Sequence, residues 1–197
     1  DLGELLMGTV RPILDALMES GQKEKAKSFL DTVRADLKSH PQATDIAQFL
    51  DRLGSRLSQP GVNDEFALSF TDTKGKEIDL AKMRGKVVLV DFWATWCGPC
   101  VGEMPNVIEA YEKFHPKGFE VIGISLDEDR AALDAFVVEN KMPWPQYFDG
   151  KGWQNQIAQQ YGIQSIPATF LIGKDGKIVA TDLRGEALHA KLEELLK

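Results

Sequence analysis

The stretch Val87-Val88-Leu89-Val90-Asp91-Phe92-Trp93-Ala94-Thr95-Trp96-Cys97-Gly98-Pro99-Cys100 decides how the whole chain is read. Its first seven residues form an apolar run broken by one acid, which suits a central strand covered on both faces. From about Gly98 to His115 the pattern becomes helical, and Pro99 is tolerated in a first turn because its missing N–H has no partner there. The only two cysteines of the 197-residue chain therefore sit where a buried strand turns into a helix.

That position has a chemical consequence. Unpaired N–H groups and the helix dipole favour a thiolate at a helix start. A thiol whose pKa falls below its free value of about 8.5 is nucleophilic at neutral pH. Cys100 lies one helical turn on and can fold back to reach Cys97. Cys97 can then attack a substrate disulfide, and Cys100 can resolve the mixed disulfide. The expectation is one exposed, ionised sulfur with its mate shielded one turn deeper. Three blander readings compete. A zinc site needs two more ligands, but His40, His115 and His189 are scattered. A purely structural disulfide closing so short a loop stabilises little. A peroxidatic cysteine has no need of a partner two residues away. Cys-x-x-Cys inside a strand–helix pattern favours redox exchange.

The same patterning extends on both sides. Residues 66–70 and 76–80 read as a hairpin around Asp72-Thr73-Lys74-Gly75. Residues 119–125 form another buried-type strand, and 129–140 an amphipathic helix. A short strand is expected over 145–148 and a short helix over 153–161. Residues 169–172 and 177–181 flank Lys174-Asp175-Gly176 as a second hairpin, and a helix over 186–196 closes the chain. Alternating strands and helices that end in a hairpin and helix predict a mixed α/β sheet covered on both faces.

The first 57 residues read differently. Leu6, Val10, Ile13, Leu14 and Leu17 share a helical face, with Pro12 placed either in a first turn capped near Thr9 or at a kink in a longer helix. Ala26, Phe29, Leu30, Val33 and Leu37 mark a second helix. Ile46, Phe49, Leu50, Leu53 and Leu57 mark a third, with Thr44 as its expected cap. Ser58-Gln59-Pro60-Gly61 has linker chemistry.

Composition narrows the function classes. A net charge of −7 argues against a protein that neutralises nucleic-acid phosphates or docks on an anionic membrane. No apolar run reaches the ~20 residues of a membrane-spanning helix. Two cysteines in 197 residues do not make a disulfide-stapled scaffold. The chain opens on Asp1 rather than Met, which reads as a processed product and leaves room for a removed signal or anchor upstream.

Beyond these readings, VVLVDFWATWCGPC resembles the active-site segment of thioredoxin-fold proteins. Pro105 resembles that family's helix-kinking proline, and Ser165-Ile166-Pro167-Ala168-Thr169-Phe170 its cis-proline loop. The extra hairpin, the extra strand–helix unit around 143–161 and the Glu103-Met104-Pro105 context are similar to the TlpA/ResA-type, AhpC/TSA-related branch. The resemblance spans residues 62–197. It implies a thioredoxin-like α/β domain over 64–197, after a helical accessory domain at 1–57 and a linker at 58–63. It also implies an extracytoplasmic, periplasmic or cell-envelope, bacterial thiol-disulfide oxidoreductase.

In that reading Cys97 attacks and Cys100 resolves. Asp91 matches thioredoxin's buried aspartate, and Glu103 matches a glutamate near the thiols of ResA-type proteins; either acid can take the Cys100 proton. Trp96, Gly98, Pro99, Ile166 and Pro167 bind substrate. The implied partners are protein disulfide substrates and an upstream electron donor, with no metal, nucleotide, flavin or nucleic acid. The helical domain is expected to place the enzyme beside a partner or to form a dimer. The competing functions are a net oxidant, a thiol peroxidase-like enzyme, and a binding module with a vestigial redox motif.

Overall fold

The computed structural model describes residues 2–55, 57 and 59–197; Asp1, Arg56 and Ser58, the first expected linker residue, lie outside that set. The chain forms two compact units, Asp1–Asn63 and Asp64–Lys197.

The first unit is helical. α1 (Leu2–Leu5) runs through a π-helical turn, Leu6–Val10, into α2 (Arg11–Glu19). Thr9 lies inside that turn and caps nothing, so of the two expectations for Pro12 the longer helix holds. A proline ring crowds the carbonyl four residues back, here Gly8, and a widened π turn at that point relieves the conflict. The extra residue also shifts the phase of the apolar stripe. Ile13, expected inside, is 41% exposed, while Leu6, Val10 and Leu14 are buried. α3 (Lys23–Asp36) and α4 (Ala43–Ser55) follow, with Thr44 inside α4 rather than capping it. Ala26, Leu30, Ile46, Leu50 and Leu53 join the buried α1–α2 residues in one small core.

The second unit is built on the expected strand. β1 (Ser69–Thr71) and β2 (Glu77–Asp79) make a separate two-stranded sheet. Asp72 tightens its turn by accepting from the N–H groups of Lys74 and Lys76, each at 2.8 Å. β3 (Val87–Trp93) is buried at all seven positions. α5 (Gly98–Phe114) leads to β4 (Phe119–Ser125), and α6 (Arg130–Glu139) is capped by Asp129. Then come β5 (Gln146–Tyr147), α7 (Gln156–Gln160), β6 (Ala168–Ile172), β7 (Ile178–Thr181) and α8 (Gly185–Leu195).

The five-stranded sheet has the order β5-β4-β3-β6-β7. β3 pairs parallel with β4 and antiparallel with β6, so the central strand is hydrogen-bonded along both edges. The single helix expected over 153–161 is split. A 3-10 turn, Gly152–Gln154, gives way at Asn155, whose Oδ1 accepts from Ile157 and Ala158 and restarts the chain as α7. Met142 and Trp144 are buried against the core, so the loop before β5 is packed by its own side chains.

Candidate active site

β3 ends at Trp93, and four residues later Cys97 takes the N-cap position of α5 with an extended backbone. Its sulfur is joined to that of Cys100 in a disulfide, and it accepts the N–H of Cys100 at 3.3 Å. A sulfur in the N-cap role occupies the place where a helix satisfies its orphan donors. When the bond is reduced, the same N–H and the helix dipole stabilise a thiolate on Cys97.

The expectation of an exposed Cys97 needs correction for this oxidised state. Cys97 is 6% exposed and Cys100 2%. In this state both sulfurs are buried, and only the rank of the two is as expected. Trp96, Gly98 and Pro99 form the exposed rim around it. A Cβ on Gly98 would meet no heavy atom within 4 Å beyond its chain neighbours, so the space over this position is open.

The Ile166-Pro167 peptide is cis. β6 starts at Ala168, paired with Phe92 near the end of β3. The register therefore brings the Ile166-Pro167 loop to the sheet end from which the chain runs on to Cys97.

Two acids lie on either side of the thiols in the sequence, Asp91 on β3 and Glu103 on α5, in different surroundings. Asp91 is buried on β3. Burial, then the nearby Glu103 charge, pushes its carboxyl up to about 7, against a smaller downward pull from Arg184. Glu103, on α5, is only half-buried. Its Oε1 accepts the Gly185 N–H at 2.6 Å and its Oε2 accepts from Asn106 at 3.1 Å. Glu103 thus ties α5 to the start of α8, with both oxygens engaged.

Several residues here were not singled out by sequence reasoning. Asp127 is buried just beyond β4 and accepts from the Thr95 N–H at 3.0 Å, the Thr95 hydroxyl at 2.6 Å and the Ser125 hydroxyl at 2.8 Å. It pins the loop that delivers Cys97. An acid at the end of an apolar strand is its only sequence signal, and solvated turns share it. Asn155 donates to the Ser125 carbonyl at 3.0 Å, which anchors the extra strand–helix unit to the same strand end. Trp153 is 42% exposed and lies 6.1 Å from Trp96, ring centre to ring centre, so the rim carries two indoles.

Thr169 is the direct neighbour of Asp91 across the β3–β6 pair, and its side chain is on the same face. Its hydroxyl is buried with no hydrogen-bond partner among the described residues. Removing an unsatisfied buried hydroxyl without changing shape releases a desolvation cost. Thr169→Val is therefore expected to leave stability unchanged or raise it by up to about 1 kcal/mol. Urea denaturation checks this, and a loss of more than about 1 kcal/mol would mean that the hydroxyl has a partner in solution.

Among the described residues no helix is long and apolar enough to cross a membrane, and no cluster of His, Cys, Asp or Glu is arranged to hold a metal ion.

The molecule is similar to known proteins over this unit. A family described as Redoxin matches residues 54–196. The chain is 41% identical over 127 residues to the thiol-disulfide oxidoreductase ResA of Bacillus thuringiensis subsp. konkukian, spanning 64% of this chain and 71% of that protein. It is 34% identical over 108 residues to the thiol-disulfide oxidoreductase ResA of Bacillus subtilis, spanning 55% and 59%. The thioredoxin domain of a thiol-disulfide oxidoreductase from Bacteroides vulgatus superposes with a TM-score of 0.61 at 32% identity, covering 71% of this chain and 98% of that one.

Proposed function

The chain belongs to the Redoxin family and carries out dithiol–disulfide exchange, and from that premise we propose that it works as a reductant of disulfides in protein substrates. The observation that supports this best is Cys97 at the N-cap of α5, with its sulfur on the Cys100 N–H. Reduced Cys97 attacks one sulfur of a substrate disulfide; that S–S bond breaks and the departing thiolate takes up a proton. A mixed disulfide now joins Cys97 to the substrate. Cys100 gives its proton to Asp91 and attacks the Cys97 sulfur. The Cys97–substrate S–S bond breaks, the second substrate sulfur leaves as a thiolate that takes up a proton, and the Cys97–Cys100 disulfide remains. Two electrons have moved from the enzyme to the substrate, and an upstream dithiol donor must return them.

Asp91 is the better proton acceptor of the two acids. Glu103 already uses both oxygens in hydrogen bonds, whereas Asp91 is held near neutrality, where a general base is most effective. Trp96, Gly98 and Pro99 meet the substrate around the sulfur. The backbone at Ile166-Pro167 pairs with the substrate chain. The resemblance to TlpA/ResA-type proteins supports placing this work outside the cytoplasm, where substrate disulfides persist. The units Asp1–Asn63 and Asp64–Lys197 are assigned as a helical accessory domain and a thioredoxin-like domain.

Direction is tested by the reduction potential of the Cys97/Cys100 couple against glutathione. A reductant is expected to lie below about −220 mV. A potential near about −120 mV, that of a strong thiol oxidant, would reverse the assignment.

A further inference from the structure

Arg184 occupies the N-cap position of α8 with an extended backbone, yet its side chain makes no capping hydrogen bond. Short polar side chains are preferred at that position because they satisfy the first free N–H groups of a helix. Here the Gly185 N–H is satisfied from a distance in sequence, by Oε1 of Glu103 at 2.6 Å. The Arg184 side chain carries donors only and cannot cap the helix. Its guanidinium instead donates to the carbonyl of Pro167 at 2.9 Å. Two adjacent residues, Arg184 and Gly185, therefore hold the cis-proline loop and the thiol-bearing helix α5. The Arg184 charge also acts on Asp91.

We propose that Arg184 is a positioning residue for disulfide exchange, fixing the substrate-holding loop through its hydrogen bond to the Pro167 carbonyl. The inference rests on the reading of Asp91 as the proton acceptor. The ionisable groups that act on Asp91 are Glu103 from α5 and Arg184 from the start of α8, with opposite signs. The positions beside it on β4 and β6 are Gly123 and Thr169, which do not titrate. Asp182, exposed, accepts the Thr169 N–H at 3.3 Å. Arg184 is thus the one cation among the described residues identified as acting on Asp91.

The test uses the full chain, reduced, with insulin as protein disulfide and a small aromatic disulfide as control. In Arg184→Met the pH at which resolution reaches half its maximal rate is expected to rise by about half a pH unit or more, because Asp91 loses a favourable charge. The KM for insulin is expected to rise about three- to tenfold, and that for the small disulfide to stay unchanged, because only a substrate chain uses the loop. Arg184→Lys restores the charge and is expected to recover the wild-type pH limb. Wild-type pH dependence and KM in Arg184→Met would overturn the proposal. Asp91→Asn separates the two failures. If it abolishes the pH limb while Arg184→Met leaves it in place, only the role of Arg184 falls. If it leaves the limb intact, the acceptor reading falls first.

Discussion

Cys97→Ser is expected to abolish disulfide reduction, lowering the rate by about a thousandfold or more, whereas Cys100→Ser accumulates a mixed disulfide with its substrate. The two outcomes differ although the sulfurs lie in one disulfide. A serine hydroxyl at the N-cap of α5 is as good a cap as the sulfur, so Cys97→Ser keeps its helix. What it loses is the nucleophile, because an alcohol does not ionise at neutral pH and forms no disulfide. Cys100 is the more deeply buried of the pair. It is bonded to the Cys97 sulfur from the more buried side, so a bulky substrate is expected to reach Cys97 first. With Cys100→Ser the first attack still proceeds and nothing inside displaces the substrate. The trapped adduct is read on a non-reducing gel with insulin or a cysteine-containing peptide. Alkylation of the reduced protein at neutral pH should modify Cys97 well before Cys100. Equal, sluggish labelling of both, or no trapped adduct with Cys100→Ser, would remove the division of labour.

What was legible in the sequence follows from what each feature depends on. β3 was readable because seven consecutive buried positions leave a local apolar signature, and Cys97 because a strand running into a helix fixes where a first turn lies. Asp91 was readable because an acid inside such a run is conspicuous. Arg184 and Asp127 were not. Each acts through a partner far away in the chain, Pro167 for one and Thr95 for the other, and a single charged residue in a loop looks like solvated surface. Thr169 fits its strand as any β-branched residue does, and only the register places it beside Asp91. In the helical unit the apolar stripe was visible, but the π turn that rotates Ile13 outward was not. Its cause, a proline ring against the Gly8 carbonyl, has two steric solutions.

The second large effect concerns stability, and it runs opposite to activity. In the oxidised protein the Asp91 carboxyl is raised from an ordinary 3.8 to about 7, chiefly by burial. Between those values the unfolded chain has released this proton and the folded protein still holds it. The unfolded state binds fewer protons, so stability falls as pH rises through that window. The interval corresponds to about 4 kcal/mol, present in full below pH 3.8 and lost above about 7. Asp91→Asn keeps the shape and removes the ionisation. It is therefore expected to be more stable than the wild type at pH 8 by about 3–4 kcal/mol, with the gap closing towards pH 4. Resolution of mixed disulfides should slow in the same variant by about 10²-fold or more, the usual contribution of a positioned general base. All four tryptophans, Trp93, Trp96, Trp144 and Trp153, lie in the unit Asp64–Lys197. Urea unfolding followed by their fluorescence at pH 4 and pH 8 thus reports this unit alone. Parallel pH profiles for wild type and Asp91→Asn would mean that Asp91 ionises at its ordinary pH, and its claim to the Cys100 proton would go with it. On the proposed mechanism the stability that Asp91 costs the resting protein is offset by the proton transfer assigned to it, because an apolar residue on β3 would pack at no such cost.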